Sequence, residues 1–159
     1  SASHIALECA LQSQPNICLI SEEVESKSMT LNDIVEQIVE VIVNRAKANL
    51  NFGTILIPEG LIEFIPAMRI LIQELNDMLA HNEEFSSLEG DDAKREYVKS
   101  MLTPASCDLY RSLPKGIARQ LTLDRDPHGN VMVSQIETEK LFSTLDTSVT
   151  STNDVYSNL

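Results

Sequence analysis

The sequence predicts an α/β fold: a parallel sheet flanked by helices, belonging to a larger domain and carrying a mainly helical insertion. Three observations lead there. Two short, uninterrupted apolar runs, Ile17-Cys18-Leu19-Ile20 and Thr54-Ile55-Leu56-Ile57, read as buried strands. Long amphipathic helical patterns separate and follow them, the arrangement that yields parallel strands covered on both faces. After residue 81 the texture changes to acidic stretches and helical pieces punctuated by proline. Hydrophobic residues make up 43% of the 159 but aromatics only 4%, so the chain can bury a sizeable core and that core is aliphatic.

Each element has its own signal. Residues 2–13, rich in Ala and Leu, suit a helix that Pro15-Asn16 breaks. The first strand follows, and Ser21-Glu22-Glu23 is expected to end it in a polar loop. Thr30 with Asp33 three residues on is a capping-box arrangement. It opens a helix whose apolar stripe is Leu31, Ile34, Val35, Ile38, Val41 and Ile42, with Glu36, Glu40, Asn44 and Lys47 on the wet face. Asn51-Phe52-Gly53 closes that segment before the second strand. Pro66 suits the first turn of the next helix, with Met68, Leu71, Ile72, Leu75, Met78 and Leu79 as its buried side. This α/β part spans residues 1–81. A mostly helical insertion over 82–123 follows, broken at Pro104 and Pro114, its acidic opening "HNEEFSSLEGDDAKRE" expected to be solvated. Residues 124–145 comprise a turn, "DRDPHGN", then an extended start passing into a helix, and residues 146–159 read as a flexible tail.

Composition excludes several function classes. The 24 acidic and 12 basic side chains leave a net charge of −12, which repels phosphate backbones and anionic lipid, so neither nucleic acid nor membrane is an expected partner. A few local donors still suffice for one small phosphorylated ligand. No run approaches the roughly 18 apolar residues of a membrane span, and no signal peptide is read. Cys9, Cys18 and Cys107 lack metal-ligand spacing and are expected as buried free thiols in a reducing, cytoplasmic compartment. The opening Ser1 suggests a processed product or a piece of a longer chain.

Glu59 is the first candidate for chemistry. In parallel α/β sheets ligands bind beyond the carboxyl ends of the strands, and Pro58-Glu59-Gly60 directly follows the second apolar run. Proline stiffens the approach, glycine admits close contact, and the carboxylate can accept hydrogen bonds from sugar hydroxyls. The competing reading is that Glu59 merely complements the positive end of the following helix. Glu22 and Glu23 could ligate Mg²⁺, though adjacent acids after a strand are more often a solvated loop. In "DRDPHGN", Asp124, Asp126 and Gly129 sit like calcium-loop positions, but His128 and Gln135 stand where ligands are needed, so calcium is rejected and His128 reads as a turn histidine. His4 and His81 join no Cys/His cluster, Lys115, Arg119 and Arg125 are too dispersed for a phosphate patch, and no glycine-rich phosphate motif is present.

Three stretches, "ASHIALECALQSQPNICLISEEV", "FGTILIPEGLIEFIP" and "DRDPHGNVMVSQIETEKL", resemble the long form of the pyrophosphate-dependent phosphofructokinases. Together they cover most of the span from Ala2 to Leu141. The resemblance implies an oligomeric, allosteric glycolytic enzyme of the cytoplasm that moves a phosphoryl group from pyrophosphate to fructose 6-phosphate with Mg²⁺. It gives Glu59 the role of a substrate-binding residue. It also implies that this chain is an internal fragment. The family's Met-Gly-Arg, its general-base aspartate, donor-phosphate glycine loop and Mg²⁺ aspartate are expected upstream, and a substrate-binding Tyr-Glu-x-Arg downstream. No catalytic or metal residue is then expected within these 159 residues, and the isolated chain is expected to be inactive. Ala67 departs from the family, where an acidic residue is expected. An ATP-dependent phosphofructokinase, a non-catalytic regulatory subunit of the same family and a free-standing α/β binding module are the alternatives.

Overall fold

A computed structural model describes residues 2–80, 82–133 and 136. His81, Gln135, the helix expected toward residue 145 and the expected tail all lie outside those residues. The described chain falls into two compact units that divide between Pro66 and Ala67.

The first unit holds helix α1 (Ala2–Ser13), strand β1 (Ile17–Cys18), helix α2 (Ser21–Ser26), helix α3 (Leu31–Lys47), strand β2 (Ile55–Leu56) and a 3₁₀ helix (Glu59–Phe64). The strands are parallel, with Ile17 opposite Ile55 and Cys18 opposite Leu56. A parallel pair needs a long crossover, supplied here by α2 and α3. Ladder contacts flank both ends: Asn16 N–H donates to Thr54 O at 2.8 Å, and Leu19 N–H to Leu56 O at 2.9 Å. The expected four-residue strands are thus real but pair regularly over only two residues each.

Helix α3 forms as the sequence requires. Thr30 Oγ1 accepts from Asp33 N–H at 3.2 Å and the Asp33 carboxylate accepts from Thr30 N–H at 2.7 Å, completing the capping box. Every residue of the expected apolar stripe is buried or half-buried, with Ile34 and Ile38 fully so, while Glu36, Glu40, Asn44 and Lys47 are exposed. Arg45 and Lys47 in the last turn complement its negative end. The chain then turns through Asn49 at φ +59°.

Two expectations need correction. Ser21-Glu22-Glu23 is the first turn of α2, not a loop. This six-residue helix packs against the 3₁₀ helix and buries Ser21 and Val24. Cys9 is exposed, because α1 buries the side bearing Ser3 and Ala6 instead; Cys18 is half-buried and Cys107 buried, and all three are free thiols. The acidic opening of the insertion, expected to be solvated, is mostly exposed; it contains helix α5 (Glu83–Ser87) and starts helix α6 (Asp91–Met101).

The second unit consists of helix α4 (Pro66–Leu79, entering from the preceding unit), then α5, α6, α7 (Pro104–Ser112) and α8 (Lys115–Leu123). Pro66 opens α4 as expected, and Met68, Leu71, Ile72, Leu75 and Leu79 are buried. Pro104 is the first residue of α7 and Pro114 the residue before α8, so both prolines mark helix starts. α6 packs against α8. Inside, Tyr110 Oη and Thr122 Oγ1 share a 2.7 Å hydrogen bond, and Thr122 also donates to Ala118 O at 2.8 Å. The described fold is therefore mostly helical with a small parallel sheet, a partial α/β domain followed by a helical segment.

Candidate functional site at the carboxyl edge of the sheet

Both strands run the same way, so their carboxyl ends open onto one edge. Beyond β2 the chain passes through Ile57 to Pro58, which is buried with φ −65° and ψ 138°. Leu61 N–H then returns to Pro58 O at 3.1 Å, starting the 3₁₀ helix. Leu61 and Ile62 are buried at 1% and 3% exposure and anchor this turn. Its first residue, Glu59, is left on the outside. The Glu59 carboxylate has no hydrogen-bond partner among the described residues. A Cβ built on Gly60 meets nothing within 4 Å, so the space beside Glu59 is open.

Beyond β1, Ser21 begins α2. Its hydroxyl is buried and has no hydrogen-bond partner among the described residues. The two acids that follow do not converge. Glu22 accepts a hydrogen bond from Ser3 Oγ, tying α2 to α1, whereas Glu23 pairs with Lys27 one helical turn on. They form no Mg²⁺ pair. Among the described residues no three His, Cys, Asp or Glu side chains come together as a metal group.

The remaining candidates serve local structure. The Asp126 carboxylate accepts from Asn130 N–H at 2.8 Å and from His128 N–H at 2.9 Å. The Asn130 backbone bond, ahead of the weaker opposing effect of burial and the further bonds to Asn130 and His128, holds its pKa below the ordinary carboxylate range. Gly129 lies at φ +86°, the left-handed conformation this turn requires. His128 is exposed on that turn. Arg125 is half-buried: Nη1 donates to Gly129 O at 2.9 Å and Asn76 Oδ1 at 3.1 Å, and Nη2 to Leu121 O at 3.0 Å. Burial lowers its pKa to about 10 against the opposing pull of Asp126. Arg119 pairs with Asp91 at 2.9 Å. His4 is exposed on α1. Ser21, in contrast, was not singled out by its sequence, because only the strand register reveals its place.

Among the described residues no helix is long and apolar enough to cross a membrane. No protein-family model matches the chain. Comparison with curated proteins does find relatives. A pyrophosphate–fructose 6-phosphate 1-phosphotransferase from Porphyromonas gingivalis is 57% identical over 143 residues, covering 90% of this chain and 26% of the relative. The beta subunit so named from Solanum tuberosum is 50% identical over 141 residues, covering 89% of this chain and 23% of the relative. The alpha subunit from the same plant is 41% identical over 144 residues, covering 91% and 22%. The chain thus spans about a quarter of the length of the curated relatives it matches. Over nine-tenths of its own length, its sequence resembles one continuous quarter of the pyrophosphate–fructose 6-phosphate 1-phosphotransferases.

Proposed function

We propose that this chain is the fructose 6-phosphate-binding part of a pyrophosphate-dependent phosphofructokinase, and that Glu59 accepts hydrogen bonds from the sugar. The observation that carries this reading is the position of Glu59: exposed, unpartnered among the described residues and set at the carboxyl end of a parallel strand, where α/β folds hold their ligands. The names of relatives 50–57% identical to the chain supply the substrates, pyrophosphate and fructose 6-phosphate. Identity is higher to the plant beta subunit, 50%, than to the alpha subunit, 41%.

Phosphoryl transfer depends on positioning and on neutralising charge at the transferred group. The described residues bring no metal group to Glu59, and neither Arg119 nor Arg125 is free to act as a clamp there. On this reading Glu59 orients the acceptor sugar, Mg²⁺ and pyrophosphate are held by residues other than these, and the 159 residues alone make no fructose 1,6-bisphosphate. The plant relatives are named as alpha and beta subunits, which supports an oligomeric parent. Three free thiols fit a reducing cytoplasm. The net charge of −12 argues against nucleic acid as a partner.

A chimera tests the reading. The matching segment of the Porphyromonas gingivalis relative is replaced by this chain, and fructose 1,6-bisphosphate formation is followed with pyrophosphate and Mg²⁺. The chimera is expected to be active. Glu59→Gln removes one charge-assisted hydrogen bond, about 1.5–3 kcal/mol, and so raises KM for fructose 6-phosphate roughly ten- to hundredfold. KM for pyrophosphate stays within about twofold, because the lost contact is to the sugar. A folded chimera without activity, or an unchanged kcat/KM for fructose 6-phosphate in the Glu59→Gln chimera, overturns the proposal.

A further inference from the structure

The parallel register that sets Ile17 opposite Ile55 and Cys18 opposite Leu56 is continued by the Leu19 N–H to Leu56 O bond. Counted on past the strand ends, it brings Ser21 level with Glu59. The packing of α2 against the 3₁₀ helix keeps the two chain segments together beyond the sheet. Neighbouring strands lie about 5 Å apart, a gap a glutamate side chain spans. At this edge stand two polar groups without partners among the described residues: the buried Ser21 hydroxyl, at 2% residue exposure, and the exposed Glu59 carboxylate. The neighbouring acids of α2 are already engaged, Glu22 with Ser3 and Glu23 with Lys27. A buried hydroxyl with no partner carries an unrecovered desolvation cost, and such groups persist where a second state of the site satisfies them.

We propose that Ser21 is the positioning residue for Glu59: with sugar bound, the Ser21 hydroxyl donates a hydrogen bond to the Glu59 carboxylate and fixes the rotamer that meets the ligand. This rests on the proposed role of Glu59. A serine hydroxyl rotates freely about its C–O bond, so it needs no backbone movement to turn toward an incoming carboxylate. Fixing one carboxylate oxygen by a protein donor leaves the other for the sugar hydroxyls, and reduces the rotamer freedom that Glu59 loses on binding. The same hydrogen bond joins the ends of both strands at the ligand, which neither strand achieves alone.

The experiment is a double-mutant cycle in the active chimera, with Ser21→Ala, Glu59→Ala and the double variant. Ser21→Ala is expected to raise KM for fructose 6-phosphate about three- to tenfold, the worth of one hydrogen bond, with kcat and KM for pyrophosphate within about twofold. The double variant is expected to have the same KM as Glu59→Ala alone, because the serine then has no side chain left to position. Multiplying effects in the double variant, or a Ser21→Ala chimera with a raised melting temperature and an unchanged KM, overturn the proposal. The second result would mean that the hydroxyl is only a buried cost. If Glu59→Ala itself leaves KM unchanged, the substrate reading of the edge fails and this inference with it. If Glu59→Ala raises KM and Ser21→Ala does not, only the role of Ser21 is lost.

Discussion

Replacing Glu74 with alanine removes a helix cap that comes from a different helix. Thr103 precedes α7 and Pro104 opens it, yet the Thr103 hydroxyl does not bond to its own helix. It donates to Glu74 Oε1 of α4 at 2.8 Å, its N–H donates to Oε2 at 3.1 Å, and Ser106 Oγ donates to Oε1 at 2.8 Å. Glu74 thereby satisfies a backbone donor and two hydroxyls, and places negative charge at the positive end of α7. A hydrogen bond to a buried carboxylate is worth about 1.5–3 kcal/mol net, and much less where solvent reaches it. Thr103 is exposed and water can replace part of the set, so Glu74→Ala is expected to cost about 1–2 kcal/mol in total. With a urea m-value of about 2 kcal/mol/M, the unfolding midpoint falls by roughly 0.5–1 M. Burial tends to raise the Glu74 pKa, but the bonds from Thr103 and Ser106 outweigh it and the net direction is down. A lowered folded-state pKa means stability that is present above the unfolded carboxylate value and lost as pH falls through the folded one. The difference between the parent chain and Glu74→Gln should therefore be full at neutral pH and shrink in acid. Urea melts at both pH values give the stability, and hydrogen exchange of the Cys107 amide, bonded to Thr103 O at 2.8 Å, reports on α7 itself. An unchanged midpoint and unchanged Cys107 exchange in Glu74→Ala would refute the cap.

Thr122→Val keeps the shape of a fully buried side chain but strips Tyr110 Oη of its 2.7 Å partner, leaving only the 3.3 Å contact to Ala118 O. A loss of about 1–2 kcal/mol is expected in the same urea assay, and a neutral result would show that Tyr110 finds another partner. Gly129→Ala forces a side chain onto φ +86°, at a cost of about 1 kcal/mol or more; the added methyl meets Ala80 Cα at an ordinary 3.5 Å, so the strain is in the backbone and not in packing. A parent-like melting temperature for Gly129→Ala would mean that the turn relaxes.

Local physics made much of this chain legible. The capping box of Thr30 and Asp33, the 3.6-residue stripes of α3 and α4 and the prolines at the starts of α4, α7 and α8 are all decided within one or two helical turns. The α2 helix escaped because six residues, only two of them buried, carry no readable period; its packing on the 3₁₀ helix makes it a helix. Cys9 escaped because α1 has apolar residues around most of its girth, including Ile5 and Leu11 at 68% and 80% exposure, so no pattern told which side would be covered. Arg125, which the sequence left dispersed beside Lys115 and Arg119, became a caged structural group through acceptors on Leu75, Asn76 and Gly129.

The same division holds for the candidate site. The sequence by itself determined that a strand ends at Pro58-Glu59-Gly60 and that the surrounding residues resemble a pyrophosphate-dependent phosphofructokinase, because a buried apolar run, a proline and a glycine act on their immediate neighbours. Only the tertiary structure decided that Glu59 stands open to solvent without a partner among the described residues, that Glu22 and Glu23 part company, and that α2, opening at Ser21, packs against the 3₁₀ helix that opens at Glu59. Those facts follow from pairing between segments almost forty residues apart, and sequence spacing does not encode such a register until the strands have met.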